Sequence, residues 1–237
     1  MASVDGTAAR NAERRFYGFA AVVAALIVFA GFARTYYLKQ AFDAPELPSL
    51  VHVHGVVMTG WIFLFGVQAS LVAARRVDLH RRLGMFGAVF AALVVVMGIA
   101  TAIEGARRGI SPGPPPLVFL AIPLGVILVF GALVAAAVAN RRRPDWHKRL
   151  MLLATISMLT PAIARIPIDA LQAGGILAFM GVTDLFAITC IGWDTAKNRR
   201  LHPAFLRGGL FLVLSHPAML ALAGSAFWME IARRIVG

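Results

Sequence analysis

Three of the six histidines stand beside basic residues: His80 in Asp78-Leu79-His80-Arg81-Arg82-Leu83, His147 in Asp145-Trp146-His147-Lys148-Arg149-Leu150, and His202 in Arg199-Arg200-Leu201-His202-Pro203. The Asp-x-His-basic-Arg-Leu hexad is an internal repeat with a looser third copy. Three neutral imidazoles at one depth are a minimal ligand set for zinc, copper or iron, and two in line can clamp the iron of haem b. The same residues also fit a plainer device: Asp78 and Asp145 as helix caps, His202 as a cap before Pro203 at the first helical position, and the arginines and Lys148 as anchors at the membrane surface. Neither capping nor charge bias requires a histidine two residues after the aspartate in both hexads.

A second constellation lies inside apolar sequence. Asp184 and His216 each stand about nine or ten residues from the ends of their runs, where an ionisable group costs several kcal/mol and faces a partner or a water-filled cavity. Their runs are consecutive and hence antiparallel, so equal depth is compatible with contact. The pair fits first a buried hydrogen bond that ties two helices, and second a proton or substrate role. A third set, His52, His54, Glu104, Arg165 and Asp169, falls at the opposite ends of the runs and is expected to form an outer polar cluster. His52 and His54 are two residues apart, so a regular helix points them ~200° apart and only one can face inward. Gly55 favours His54 for that position, and Arg165 with Asp169 has the i,i+4 spacing of a helical ion pair.

The elements that must position these residues follow from composition. The chain has 237 residues, 59% hydrophobic and 14% charged, with a mean hydropathy of +0.78, which places it outside soluble domains. Charges are bunched between apolar runs of roughly 18 to 25 residues, the length a helix needs to cross a bilayer. No segment alternates as a β-barrel strand would. The expectation is an all-α integral membrane protein with seven transmembrane helices over about 16–36, 50–74, 83–103, 117–139, 150–168, 174–193 and 205–229. Residues 1–15 form an N-terminal segment before this transmembrane domain (16–229), and residues 230–237 form a tail. The fifth run is expected to kink at Pro161 and Pro167. The first run is too long for a signal peptide and reads as a retained helix.

The net charge of +12 does not point to nucleic acid, because the basic residues sit in short loops flanking the runs. Three precede the first run, and four, five and four occupy the loops at 75–82, 140–149 and 194–207; these are 16 of the 23 Lys and Arg, against seven on the other side. That bias places the N-terminus in the cytoplasm and the C-terminus in the periplasm. The single Cys190 excludes an intramolecular disulfide.

With these residues in view, the run His52-Val53-His54-Gly55 with Trp61 and Gln68, then Leu79-His80-Arg81-Arg82-Leu83-Gly84, His147-Lys148-Arg149-Leu150-Met151 with Pro161 and Arg165, and Leu201-His202-Pro203, resembles a family of uncharacterised bacterial seven-helix membrane proteins. The resemblance implies a multi-pass bundle in the bacterial inner membrane, and no activity. More loosely, the chain is similar to the transmembrane b-type cytochromes, in which histidines of alternate helices hold haem. That similarity extends to His80 and His147 at the inner side; at the outer side the fourth run has no histidine to pair with His54. Two functions are therefore expected as alternatives: a redox or metal-handling protein that binds haem or a transition metal through His80, His147 and His202, or a non-enzymatic transporter, assembly factor or structural subunit built on Asp184 and His216. The expected surroundings are the lipid bilayer and a membrane-protein partner or second copy. The sequence states no reaction.

Overall fold

The computed structural model describes residues 2–237, with side chains from Asn11 onward, so the side chain of Arg10 lies outside the description. Among the described residues the chain is 84% helix with no strand. The helices are α1 (Ala2–Phe32), α2 (Ser49–Ala73), α3 (Val77–Arg107), α4 (Pro116–Ala139), α5 (Pro144–Ser157), α6 (Thr160–Ile163), α7 (Asp169–Ala173), α8 (Gly175–Asn198), α9 (Pro203–Ala223) and α10 (Ala226–Val236). Six of the described helices are long and apolar enough to cross a membrane: α1 with its π-helical extension to Tyr37, then α2, α3, α4, α8 and α9.

The expected fifth crossing differs from the other six. Instead of one helix over 150–168, the chain forms α5, then α6, then irregular backbone to Ile168. The break falls at Met158 and Leu159, whose N–H groups turn back to the carbonyls of Thr155 and Ile156 three residues earlier. Its cause is Pro161, which has no N–H to give the Ser157 carbonyl and whose ring would clash with it. Such a break is tolerated at membrane depth only where protein surrounds it. It is surrounded here: Leu152, Leu153, Ala154, Ile156, Leu159 and Ala162 are each no more than 1% exposed.

The long helices enclose this broken one. α1 packs on α2, α2 on α3, α3 on α4, α4 on α9 and α9 on α8, while α5 touches α4, α8 and α9, and α6 joins α1 to α8. A stack of Phe16 on Trp193, with centroids 3.9 Å apart, helps close the ring between α1 and α8. Lipid is as apolar as leucine, so close van der Waals packing rather than burial from water holds such helices together. Gly31 shows how close that packing is. A Cβ there would lie 2.1 Å from the Ala162 carbonyl oxygen, so the α1–α6 crossing exists because the side chain is a hydrogen.

The ends also differ from expectation. α3 and α5 begin before their hexads, with Arg76 and Arg143 at the N-cap positions. Asp78 and Asp145 therefore sit inside the first turn rather than capping it, where a negative charge still favours the helix dipole. Residues 230–237 are not a tail. All but Gly237, its C-cap, belong to α10, which Ser225 caps by accepting from the Trp228 N–H at 3.1 Å. Trp228 donates to the Leu117 carbonyl at 2.7 Å and Arg107 donates to the carbonyls of Ile235 and Val236, so α10 is fastened across the ends of α3 and α4.

Candidate functional site

Mid-depth in the bundle, α8 and α9 bring Asp184 and His216 together. Asp184 follows Gly175 by nine residues, which is ~14 Å along the helix axis. Its Oδ1 lies 3.0 Å from His216 Nδ1, with side chains 19% and 4% exposed. The contact is close, yet it lies outside hydrogen-bond alignment, and neither atom has another partner among the described residues. Pro217 sits inside α9 directly after the histidine and leaves the Val213 carbonyl without its helical donor. Beside Asp184, Thr183 is fully buried and shares a 2.8 Å hydrogen bond with Thr160 on α6. The pair is thus set between the α8–α9 contact and the broken helix. Buried polar atoms this close and this incompletely satisfied are costly in a membrane, and a proton taken up or released by the couple changes its charge, whereas one passed between carboxylate and imidazole does not.

At the end of the bundle where α3 and α5 begin, the repeat is only partly assembled. His80 and His147 meet, with ring centroids 6.2 Å apart and planes at 79°. His147 Nδ1 lies 2.9 Å from the Ala137 carbonyl on α4, so that nitrogen carries the proton and Nε2 keeps its lone pair. Gln68 on α2 satisfies its neighbours when its amide nitrogen donates to His80 Nδ1 at 2.7 Å and its oxygen accepts from the Gly84 N–H at 3.0 Å. His80 then carries its proton on Nε2. The couple holds one ring donor and one ring acceptor.

His202 is not with them, which corrects the expected three-imidazole centre. α4 and α5 lie between α3 and α9, and the hydrogen bonds of His202 are spent at the start of its own helix. Its Nδ1 accepts from the Ala204 N–H at 3.1 Å and its Nε2 donates to Asp145 Oδ2 at 2.9 Å. The cap followed by Pro203 is present as the sequence suggests. Burial on its own raises the Asp145 carboxyl, but the hydrogen bond from His202 and those from the backbone of Asp145 and Trp146 outweigh it and hold the group below the ordinary aspartate value. Among the described residues no group of three His, Cys, Asp or Glu side chains could hold a metal ion. A three-imidazole centre for zinc, copper or non-haem iron made from His80, His147 and His202 is therefore not assembled.

The expected outer cluster is mostly dispersed, although Arg165 still bears electrostatically on His54. Glu104 pairs with Arg108 at 2.6 Å, Arg165 donates to the Pro161 carbonyl at 2.7 Å and covers the Phe32 ring, and Asp169 opens α7. Because the chain between Ile163 and Asp169 is not helical, Arg165 and Asp169 lose the i,i+4 geometry. His52 lies against Tyr36, whose hydroxyl donates to the His52 carbonyl at 3.1 Å. The space beside Gly55 is filled by that same Tyr36 ring, and His54 Nδ1 is buried with no partner among the described residues.

One ion pair has no counterpart in the sequence reading. Arg149 on α5 grips Asp194 on α8 with contacts of 2.7 to 3.0 Å, at 4% and 0% side-chain exposure. Arg149 also donates to the Asp145 carbonyl and lies over the Phe205 ring. The signal that could have found it is Asp194 itself: an acidic side chain near the C-terminal end of a helix is disfavoured by the dipole, so it implies a cation close by.

No family model matches the chain, and no curated protein or solved structure matches it.

Proposed function

We propose that this chain is a multi-pass protein of the bacterial inner membrane with seven crossings, α5 and α6 together making the fifth, N-terminus in the cytoplasm and C-terminus in the periplasm. We further propose that it is a non-enzymatic transporter whose Asp184–His216 couple takes up and releases a proton. The observation that carries this reading is the 3.0 Å approach of Asp184 Oδ1 to His216 Nδ1 at mid-depth, with neither atom otherwise partnered. A couple kept only to tie two helices needs no ionisable group, whereas a carboxyl and an imidazole in contact at this depth can take up and release a proton. His80 and His147, a ring donor facing a ring acceptor's neighbourhood at the inner end, fit proton exchange better than metal binding. The resemblance to bacterial seven-helix membrane proteins supports the location.

Infrared difference spectroscopy across a pH step tests the proton step directly. A carboxyl C=O band should appear and vanish with pH, be absent in Asp184→Asn, and shift in His216→Gln. A spectrum with no band that depends on Asp184 would remove the couple from proton chemistry.

A further inference from the structure

A groove of about 350 Å³ opens between α1 and α2 at the end of the bundle that carries the hexads. Its lining includes Asn11, Arg14, Arg15, Gly18 and Phe19 from α1 and Ser70 from α2. The polar members lie toward the α1 start, where headgroups sit, and Gly18 and Phe19 follow one turn deeper. Phe19 is 67% exposed, and a Cβ added to Gly18 would meet nothing within 4 Å, so the floor is apolar and open. Among the described residues neither Arg14 nor Arg15 has a carboxylate partner; the nearby Glu13 is taken by Lys148.

We infer that this groove binds one anionic phospholipid, with its phosphate between Arg14 and Arg15, its glycerol oxygens toward Asn11 and Ser70, and an acyl chain along Gly18 and Phe19. Charge complementarity argues for this occupant. Two guanidiniums with no carboxylate partner among the described residues and two neutral hydrogen-bonding side chains above an apolar channel match a phosphodiester with a hydrocarbon tail. Paired donors in a fork suit phosphate oxygens, and basic pockets between transmembrane helices at the headgroup level are a known setting for anionic lipids. The proposal is independent of the Asp184–His216 couple. It rests only on the hexad end of the bundle lying at a membrane surface.

The test is native mass spectrometry of the detergent-solubilised full chain titrated with dioleoylphosphatidylglycerol, with dioleoylphosphatidylcholine as the neutral control. The wild type should retain one phosphatidylglycerol in preference to phosphatidylcholine. Arg14→Gln/Arg15→Gln should weaken that binding by roughly 30-fold, as expected for two surface cations. Gly18→Leu should weaken it without disturbing folding, because the added side chain enters the open groove. Arg81→Gln/Arg82→Gln, an equal loss of charge outside the groove, should leave the first bound lipid unchanged. Equal loss in the two arginine pairs would overturn the site in favour of diffuse attraction. Displacement of the lipid by millimolar inorganic phosphate, or binding unaffected by Gly18→Leu, would overturn the lipid as occupant.

Discussion

Arg149 and Asp194 illustrate what a single buried charge demands of its neighbours. Desolvating both ions is costly, and their attraction offsets the cost only while each keeps the other. Arg149→Met or Asp194→Leu alone should therefore destabilise the protein by about 3–5 kcal/mol, while the double substitution should recover most of the loss; chemical unfolding in detergent measures both. Asp145 behaves differently because its side chain is 54% exposed. Its carboxyl is held below the ordinary aspartate value mainly by His202, against the opposing effect of burial. A lowered carboxyl contributes stability above the unfolded-state value and loses it as pH falls through the folded one. Asp145→Asn should thus lower the stability slightly at pH 7, by a few tenths of a kcal/mol after solvent screening, and the difference should shrink on acidification below the ordinary aspartate range. The sequence made the membership of the midplane couple visible, since charges in apolar runs stand out. It hid Arg149, because an arginine in a basic loop looks like one more topological charge until its partner is known.

At the scale of elements, α5 and α6 explain why seven apolar runs produce six long helices. A helix that faces lipid must stay apolar and unbroken, as α3 does. One enclosed by protein can break at Pro161 and carry Arg149, because its neighbours satisfy it. Run length was legible in the sequence, but enclosure was not, since it depends on which helices surround which. α10 could have been read: Phe227, Ile231 and Ile235 recur at four-residue spacing after a Ser225 cap. The α1–α6 crossing gives this scale its prediction. Gly31→Ala should cost about 1–3 kcal/mol through overpacking against the Ala162 carbonyl, whereas Gly18→Ala, with open space around it, should be neutral or stabilise by up to about 1 kcal/mol through helix propensity. Thermal unfolding of the two variants side by side decides whether backbone approach or helix propensity governs α1.

For the whole molecule, the sixteen-to-seven bias of basic residues and the count of crossings make one joint statement about orientation. Reporter fusions in the loop at Gly113 and after Gly237 should both report the periplasm of a Gram-negative host, and a cytoplasmic signal at Gly237 would mean that α5 and α6 do not cross. Orientation alone does not say what the bundle does. Proton flux into proteoliposomes, driven by a potassium diffusion potential and read by a trapped pH dye, tests that claim most directly. The wild type should admit protons faster than empty vesicles, and Asp184→Asn and His216→Gln should each abolish the difference while changing stability by less than about 1 kcal/mol. A wild-type rate equal to that of empty vesicles, or flux that survives both substitutions, would contradict the account.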